Sequence, residues 1–306
     1  MQRYIVGRIV QSIVSMVVVS IVVFALVRLS GDPIQIMAPP EASQADIAAM
    51  RAYLGLDRPW AVQYGRFITR ALQGDFGQSV RFRRPALDMV LERYGATLEL
   101  GGLAVVIVIA IALPVGVYAA VRRGRKLDYA ARAFAALGQA VPPFWLGLLL
   151  VLVFGVILHW LPTSGRGTPL HIILPGITLG WFAVAGLMRL TRSAMLDVLG
   201  TEYVKLARIK GLPERQVIWK HAFKNAALPV VTFAGLVFVA LLNGSIIIET
   251  VFSWPGVGLL VIEAVDSRDY PIVQTVVLFL SAMYIGVNLM VDVLYAYLNP
   301  KIRYSA

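Results

Sequence analysis

Six long apolar stretches, separated by short segments rich in charge, proline or glycine, limit what this 306-residue chain can fold into. A bilayer-crossing α-helix needs about 20 mostly apolar residues, because each residue adds only about 1.5 Å. All six stretches are long enough, and the pattern predicts an all-α integral membrane protein with six transmembrane helices. They lie near Ile5–Leu29, Thr97–Val121, Ala133–Trp160, Ile172–Met195, Leu228–Ile248 and Ile272–Leu294.

The charge content agrees with a bilayer environment. Only 15% of the residues are charged, whereas soluble domains carry about 25%. The net charge of +11 would suit nucleic acid, but lysine and arginine also accumulate in the cytoplasmic loops of membrane proteins. We therefore expect a lipid bilayer and no nucleic acid as a partner. The absence of cysteine excludes a disulfide, a thiolate metal site and a cysteine nucleophile.

The basic residues of the short loops predict the orientation in the membrane. One loop holds Arg122, Arg123, Arg125 and Lys126, and the loop between spans four and five holds six more basic residues. The short loops on the other side offer only Arg166 and Arg268. Both termini should therefore be cytoplasmic. Residues 1–29 are expected to be a retained N-terminal anchor, because their apolar stretch exceeds the 7–15 residues of a signal peptide. Residues 30–96 should lie outside, and residues 298–306 should form a cytoplasmic tail.

The outer segment, residues 30–96, is predicted to form short helices. Ser43 suits the N-cap of a helix that runs to Leu54 and ends at Gly55. Asp57 suits the cap of a second helix with Pro59 in its first turn. A third helix should start after Arg83–Pro85 and lead into span two. Two interpretations stay open: a packed cap on the membrane domain, or a surface that meets a substrate-delivery partner.

The cytoplasmic loop at about 196–227 is the most informative stretch. Thr201 suits an N-cap, and Glu202 in the first turn suits the helix dipole. Gly211 should end this helix, and Leu212-Pro213 should start another. One face is predicted to carry Tyr203, Leu206, Ala207 and Lys210. From the residues alone, this basic amphipathic loop either rests on anionic lipid or fits a socket on a partner protein.

The loop sequence Glu202–Leu212, followed by His221–Pro229, resembles the coupling loop of ABC-type importer permeases. More narrowly, it resembles the first membrane subunit of dipeptide and oligopeptide importers, a branch that includes nickel and glutathione importers. The general importer loop has Glu-Ala-Ala where this chain has Lys205, Leu206 and Ala207, so the general glutamate is missing. Further motifs of that branch are Gly31–Pro33, Leu54–Pro59, Gly74–Gly77, Pro143–Gly147, Glu249–Gly256, Arg268–Pro271 and Asn299–Arg303.

The resemblance implies a type I importer permease fold over residues 97–297 and a non-catalytic transport subunit in the bacterial inner membrane. It implies a heterodimer with a second homologous permease subunit, two ATP-binding subunits and an extracytoplasmic binding protein. The expected substrate is a di- or oligopeptide, with nickel, glutathione, an opine or another small solute as alternatives. The residues expected to dock the ATPase are Glu202, Tyr203, Leu206, Ala207, Lys210, Gly211 and Leu212.

The nucleotide is expected on the partner subunits. The chain has no Gly-x-x-x-x-Gly-Lys-Ser/Thr loop to cradle phosphates, so we expect no cofactor on it, with ATP and magnesium bound elsewhere. Its three histidines are widely spaced, and no metal site is predicted. A membrane-embedded enzyme would need paired catalytic groups at one depth, which the spans lack. A stand-alone carrier or channel remains an alternative that transport by this chain alone would favour.

Polar and helix-breaking residues in the spans are candidates for the pathway or its gates. Asn243 would face either the partner subunit or the pathway. Glu249 should reach water at the outer end of span five, and Asp292, one turn after Asn288, either lines the pathway or pairs with a basic loop residue. Arg189 would extend its charge to the inner interface. Five prolines are hinges or structural kinks: Pro114, Pro142, Pro143, Pro175 and Pro229.

Overall fold

The computed structural model describes the backbone of residues 2–29, 34 and 43–298. Within these residues, side chains are described except at 2–4, 50, 53, 54, 239, 242–244 and 291–298. Helices make up all regular elements of this part of the chain, besides an isolated bridge between Gln78 and Pro85. The predicted all-α architecture is confirmed.

The helices are numbered here in chain order, with two π-helical segments that continue α6 and α9. They are α1 (Gln2–Leu29), α2 (Gln44–Leu54), α3 (Trp60–Leu72), α4 (Ala86–Val121), α5 (Lys126–Ala140), α6 (Pro143–Leu150, continued by Val151–Ile157), α7 (Ile173–Leu199), α8 (Glu202–Ile209), α9 (Glu214–Gln216, continued by Val217–Ala222), α10 (Phe223–Val251), α11 (Val257–Asp266) and α12 (Tyr270–Leu298).

Five described helical stretches have the length and apolarity to cross a membrane, and the bent pair α5–α6 makes a sixth if it is one span. The predicted third span is broken where Pro142 and Pro143 were expected to act as hinges or kinks: α5 and α6 meet there at 104°. The break coincides with Pro142 and Pro143: proline has no N–H to donate, and it drives the preceding residue out of the helical region. Val141 and Pro142 accordingly have extended backbones, with ψ of 119° and 135°.

The other three prolines do not interrupt their helices. Pro114 and Pro229 lie inside the continuous helices α4 and α10. Pro175 lies in the first turn of α7, where a backbone N–H has no partner within the helix anyway. The hinge interpretation of these prolines stays a prediction.

Of the three helices predicted in the outer segment, the first and the third begin where predicted. Ser43 accepts from the Asp46 backbone N–H, and Gly55 ends α2 at a φ of +66°, as predicted. The capping role of Asp57 is wrong: α3 starts at Trp60, with Pro59 in the N-cap position. A cap must directly precede the first helical residue, and Asp57 lies too early in the chain.

Contacts group the chain into two compact units, residues 1–95 with 256–306 and residues 96–255. In the first unit, α1 packs against α12, and α11 packs against α12. Helix α3 lies on α1, where Tyr64 Oη is 2.8 Å from Ser20 Oγ and its ring stacks edge-on against Phe24. The last two helices belong to this first unit, and the predicted domain over 97–297 stays a prediction.

In the second unit, α7 packs against α5, α6 and α10. Small residues let these helices approach closely, as is common in membranes. A β-carbon on Gly138 of α5 would lie 2.6 Å from the Ala185 Cβ of α7, and one on Gly180 of α7 would lie 3.3 Å from the Ala104 carbonyl oxygen of α4. Helix α7 is therefore the central helix of this unit.

Gly116→Ala is expected to destabilise the second unit by about 1–3 kcal/mol, the usual cost of overpacking. Its β-carbon would lie 2.8 Å from the Met188 backbone oxygen and 2.8 Å from Thr191 Cβ, and a helix backbone cannot move aside freely. The measurement is the midpoint of thermal unfolding of the purified chain. Gly102→Ala on the same helix is the control, because its β-carbon would have nothing within 4 Å. Equal midpoints for both variants would contradict the assigned packing.

Candidate docking loop and central cavity

The predicted docking loop forms two short helices around a sharp turn. Thr201 occupies the predicted N-cap position with an extended backbone, but its hydroxyl donates back to the Val198 carbonyl at 2.6 Å instead of capping α8. Gly211 has a φ of +74°, which side-chain-bearing residues rarely adopt. A β-carbon there would have nothing within 4 Å. Glycine is therefore required for the backbone turn rather than for space.

A forked ion pair joins the two helices across this turn. Arg208 Nη2 donates to Glu214 Oε1 at 2.8 Å, and Arg208 Nε donates to Glu214 Oε2 at 3.2 Å. The hydrogen bond to Glu214 raises the pKa of the Arg208 guanidinium. Both side chains are about half exposed, and such pairs contribute less than about 1 kcal/mol. The pair orients α8 against α9 rather than stabilising the fold.

One face of α8 is buried against the membrane domain. Val204 and Ala207 belong to a cluster that joins the ends of α4, α7 and α10. The placement of Ala207 on the exposed docking face is therefore wrong. Apolar residues lie on two sides of this helix, and their spacing does not show which side meets the neighbouring helices. The other buried members are Val117, Ala120, Met195, Val217, Ile218, Ala222 and Ala226.

The opposite face exposes three large apolar side chains. Tyr203 is 41% exposed, Leu206 50% and Ile209 80%. They repeat every three residues, which keeps them on one side of a short helix. Ile209 is not among the predicted docking residues, although it continues the three-residue spacing of Tyr203 and Leu206. Exposed apolar side chains grouped in this way mark an interaction surface, and Glu202, Lys205, Lys210 and Gly211 lie exposed beside them. We call Tyr203, Leu206 and Ile209 the docking face.

A buried ion pair between α5 and α7 is not among the predicted site residues. Asp128, in the first turn of α5, is buried and accepts from Arg192 Nε at 2.6 Å and from Arg192 Nη2 at 3.0 Å. Its Oδ2 also accepts from the Gly124 backbone N–H at 2.9 Å. The pair ties α5 to the last part of α7. The two residues are 64 positions apart, so no local sequence pattern joins them.

A cavity of about 910 Å³ lies between α6, α7 and α10. Its lining is apolar except at Gln139, Arg189 and Ser193. Arg189 lines this cavity, and its Nη1 donates to Gln139 Oε1 at 2.8 Å; its predicted extension toward the inner interface stays a prediction. The apolar lining consists of Pro143, Phe144, Leu179, Phe182, Ala183, Gly186, Leu190, Phe233, Leu236, Val237, Ala240, Leu241, Ile247 and Ile248.

A second, smaller cavity of about 400 Å³ meets the first at Gln139 and Arg189. Arg132 and Arg192 also line it, together with four apolar residues of α5 and α7. Three arginines thus border this smaller cavity, although Arg192 is paired with Asp128. Arg189 and Gln139 therefore lie at the boundary between the two cavities.

The predicted pathway residues differ in their burial. Glu249 does not reach water: it is fully buried, and its Oε1 accepts from Thr97 Oγ1 at 2.8 Å. The chain after α10 covers this end of the helix, where the buried Trp254 donates from Nε1 to the Ala96 carbonyl at 2.8 Å. Asn288 is half-buried on α12. The side chains of Asn243 and Asp292 lie outside the described residues, as do the motifs Gly31–Pro33 and Asn299–Arg303.

Comparison with known proteins gives two family matches and a set of full-length relatives. Residues 112–304 match the family described as binding-protein-dependent transport system inner membrane component, and residues 1–101 match the N-terminal part of such membrane components. The glutathione transport system permease proteins GsiC of Salmonella paratyphi A and Escherichia coli K12 are each 44% identical to the chain. Both alignments cover all 306 residues and the full length of each relative.

Proposed function

The chain belongs to the family of binding-protein-dependent transport system inner membrane components, and we propose that it forms half of the pathway of an ATP-driven importer of glutathione or a closely related short peptide. Its place as an ABC importer permease subunit follows from the family. The substrate is inferred from the full-length relatives that are named glutathione permeases. Glutathione is itself a tripeptide, which agrees with the peptide branch that the sequence motifs resemble. Nickel and opines remain alternatives within the same architecture.

The observation that carries the proposal is the two-sided packing of α8. Its outer side presents Tyr203, Leu206 and Ile209, while its inner side packs into a cluster with Met195 of α7 and Ala226 of α10. Helices α7 and α10 also line the large cavity. Because packed interiors resist compression, a push on α8 would shift the cavity walls. The arrangement suits a subunit that converts movement of a bound ATPase into opening and closing of a pathway.

The proposed partners are two ATP-binding subunits, a second permease subunit and an external binding protein. Two ATP-binding subunits would bind ATP and magnesium, and one of them would receive the docking face. A second permease subunit would form the other half of the pathway, and an external binding protein would deliver the substrate. Both termini and α8 would be cytoplasmic, as the basic loops indicate. The chain itself would carry no nucleotide and no catalytic group.

Reconstitution tests the proposal. The chain is purified with its partner subunits, placed in proteoliposomes and supplied with its binding protein, and uptake of radiolabelled glutathione is measured with and without ATP. We expect uptake that requires ATP and is competed by short peptides. Uptake by this chain alone would instead favour a stand-alone carrier. A complex that purifies without any ATPase subunit, or that imports nickel but not glutathione, would contradict the proposal.

A further inference from the structure

We propose that Arg189, held by Gln139 at the polar end of the large cavity, binds a carboxylate of the substrate in transit. This inference rests on the proposed import of glutathione or a similar short peptide and names the contact within that pathway. Glutathione carries two carboxylates and one ammonium group, so it is anionic at neutral pH. In the described part of the chain, Arg189 is the one ionisable side chain that lines the large cavity.

The position of Arg189 indicates an aqueous or ligand-filled surrounding. The residue lies within the long helix α7 and is exposed on the cavity side. A charge that faces lipid hydrocarbon is costly, and intramembrane charges therefore face protein or water-filled cavities. Arg132 and Arg192, which line the smaller cavity, share the single carboxylate of Asp128. One positive charge therefore remains in excess beside Arg189, and it disfavours a cation there.

The hydrogen bonding of Arg189 leaves capacity for a ligand. A guanidinium has five N–H donors, and Gln139 Oε1 receives a bond from Nη1. Among the described residues no carboxylate lies within ion-pair distance of Arg189, whereas Arg192 is neutralised by Asp128 at 2.6 Å. The Gln139 amide orients the guanidinium without neutralising it. Arg192 is therefore a structural residue, and Arg189 is the arginine available to a carboxylate.

The cavity also suits the proposed occupant in size and polarity. Its volume of about 910 Å³ lies within the range of about 300–1,000 Å³ for sites that take small organic ligands. A carboxylate entering an apolar space loses its hydration and needs a paired charge. Arg189 supplies that charge at the point where the apolar lining ends, so an anionic peptide would meet a smaller barrier there than a cation would.

The charge test uses the complete complex in proteoliposomes. Arg189→Gln removes the charge and should lower ATP-driven glutathione uptake about 10-fold, the effect expected from losing a charge-assisted hydrogen bond. Hydrolysis of ATP stimulated by the loaded binding protein should persist, because the docking face is unaltered. Arg189→Lys keeps the charge and should restore most of the uptake. Arg123→Gln is the matched control, since Arg123 lies in an exposed loop away from both cavities.

Three results with the variants would overturn the inference while leaving the proposed function standing. Uptake by Arg189→Gln close to that of the unaltered complex would show that the charge has no role in transport. An equal loss in Arg189→Lys would show that charge is not what matters. If the complex with Arg189→Gln loses the second permease subunit on purification, Arg189 contacts that subunit and does not face the pathway. Absence of uptake by the unaltered complex would overturn the proposed function and this inference with it.

A single-cysteine variant gives an independent measurement. The chain has no cysteine, so Ser193→Cys places one thiol in the lining of the large cavity. We expect a membrane-impermeant maleimide to label this subunit of the complex, read as a mass shift, and S-methylglutathione to slow the labelling. This probe lacks the free thiol that would consume the reagent. A thiol that stays unlabelled with and without ATP, or that S-methylglutathione does not protect, would overturn the inference.

Discussion

Leu206→Asp is expected to release the ATPase subunits and abolish ATP-driven uptake while leaving the fold of the chain intact. Leu206 lies at the centre of the docking face, half exposed between Tyr203 and Ile209. Central apolar residues of an interface typically cost 2 kcal/mol or more when removed, and a carboxylate without a partner adds the cost of its desolvation. We expect docking to weaken by at least about 30-fold. The measurement is the ATPase retained on purification, together with uptake in proteoliposomes.

The control for this prediction is Leu127→Asp, which introduces the same change at a partly exposed leucine in the first turn of α5. It should leave both ATPase retention and uptake near normal. Ala207→Arg provides a second comparison. Since Ala207 is buried with Val204 against α7 and α10, this variant should lower the unfolding midpoint as well as uptake. Undiminished ATPase retention by Leu206→Asp would show that another surface docks the ATPase.

Asp128→Ala is expected to destabilise the chain by about 3 kcal/mol. Asp128 is buried, and Arg192 is only one-fifth exposed, so removing the carboxylate leaves a mostly buried guanidinium without its partner. Breaking such a pair costs about 3–5 kcal/mol, and the partial exposure of Arg192 places the expectation at the lower end. The measurement is the unfolding midpoint of the purified chain. Arg132→Ala should cost less than about 1 kcal/mol, because Arg132 is half exposed and 3.6 Å from Asp128.

A double substitution separates the pair from the individual side chains. Asp128→Leu with Arg192→Met removes both charges and replaces them with apolar groups, which often restores the stability that either single change loses. We expect the double variant to be more stable than Asp128→Ala, and a double-mutant cycle to give a coupling free energy above about 1 kcal/mol. Additive effects of the two single changes would contradict the geometry in which Asp128 and Arg192 share two hydrogen bonds.

The docking face and the Asp128–Arg192 pair both connect to α7, the helix that carries Arg189. The docking face lies on α8, and the inner side of α8 contacts the ends of α4, α7 and α10. The Asp128–Arg192 pair adds α5 to the same group, since it fixes the start of α5 to α7. Arg189 lies one turn before Arg192 on α7. A displacement of α8 would therefore be felt at the polar end of the cavity through one continuous helix.

Local signals accounted for several of the helix boundaries. The Ser43 cap, the glycine ends at Gly55 and Gly211 and the start of α8 after Thr201 were predicted because caps and left-handed turns depend on a few adjacent residues. Apolar length likewise predicted the spans. The sequence predicted a hinge or kink at Pro142 and Pro143 but not the 104° between α5 and α6, because a proline inside an apolar stretch also occurs within a continuous helix, as Pro114 and Pro229 do here.

What the sequence alone determined was the class of molecule: the membrane environment, the α-helical fold and the importer family. Only the tertiary structure decided which side of each helix is buried. It placed Ala207 inward and Ile209 outward, buried Glu249 against Thr97, paired Asp128 with Arg192 and brought Arg189 to the cavity. The physical reason is the distance along the chain over which each feature is decided. Caps and helix lengths depend on neighbours in sequence. Burial and pairing depend on residues far apart in sequence, 64 positions for Asp128 and Arg192 and 152 for Thr97 and Glu249.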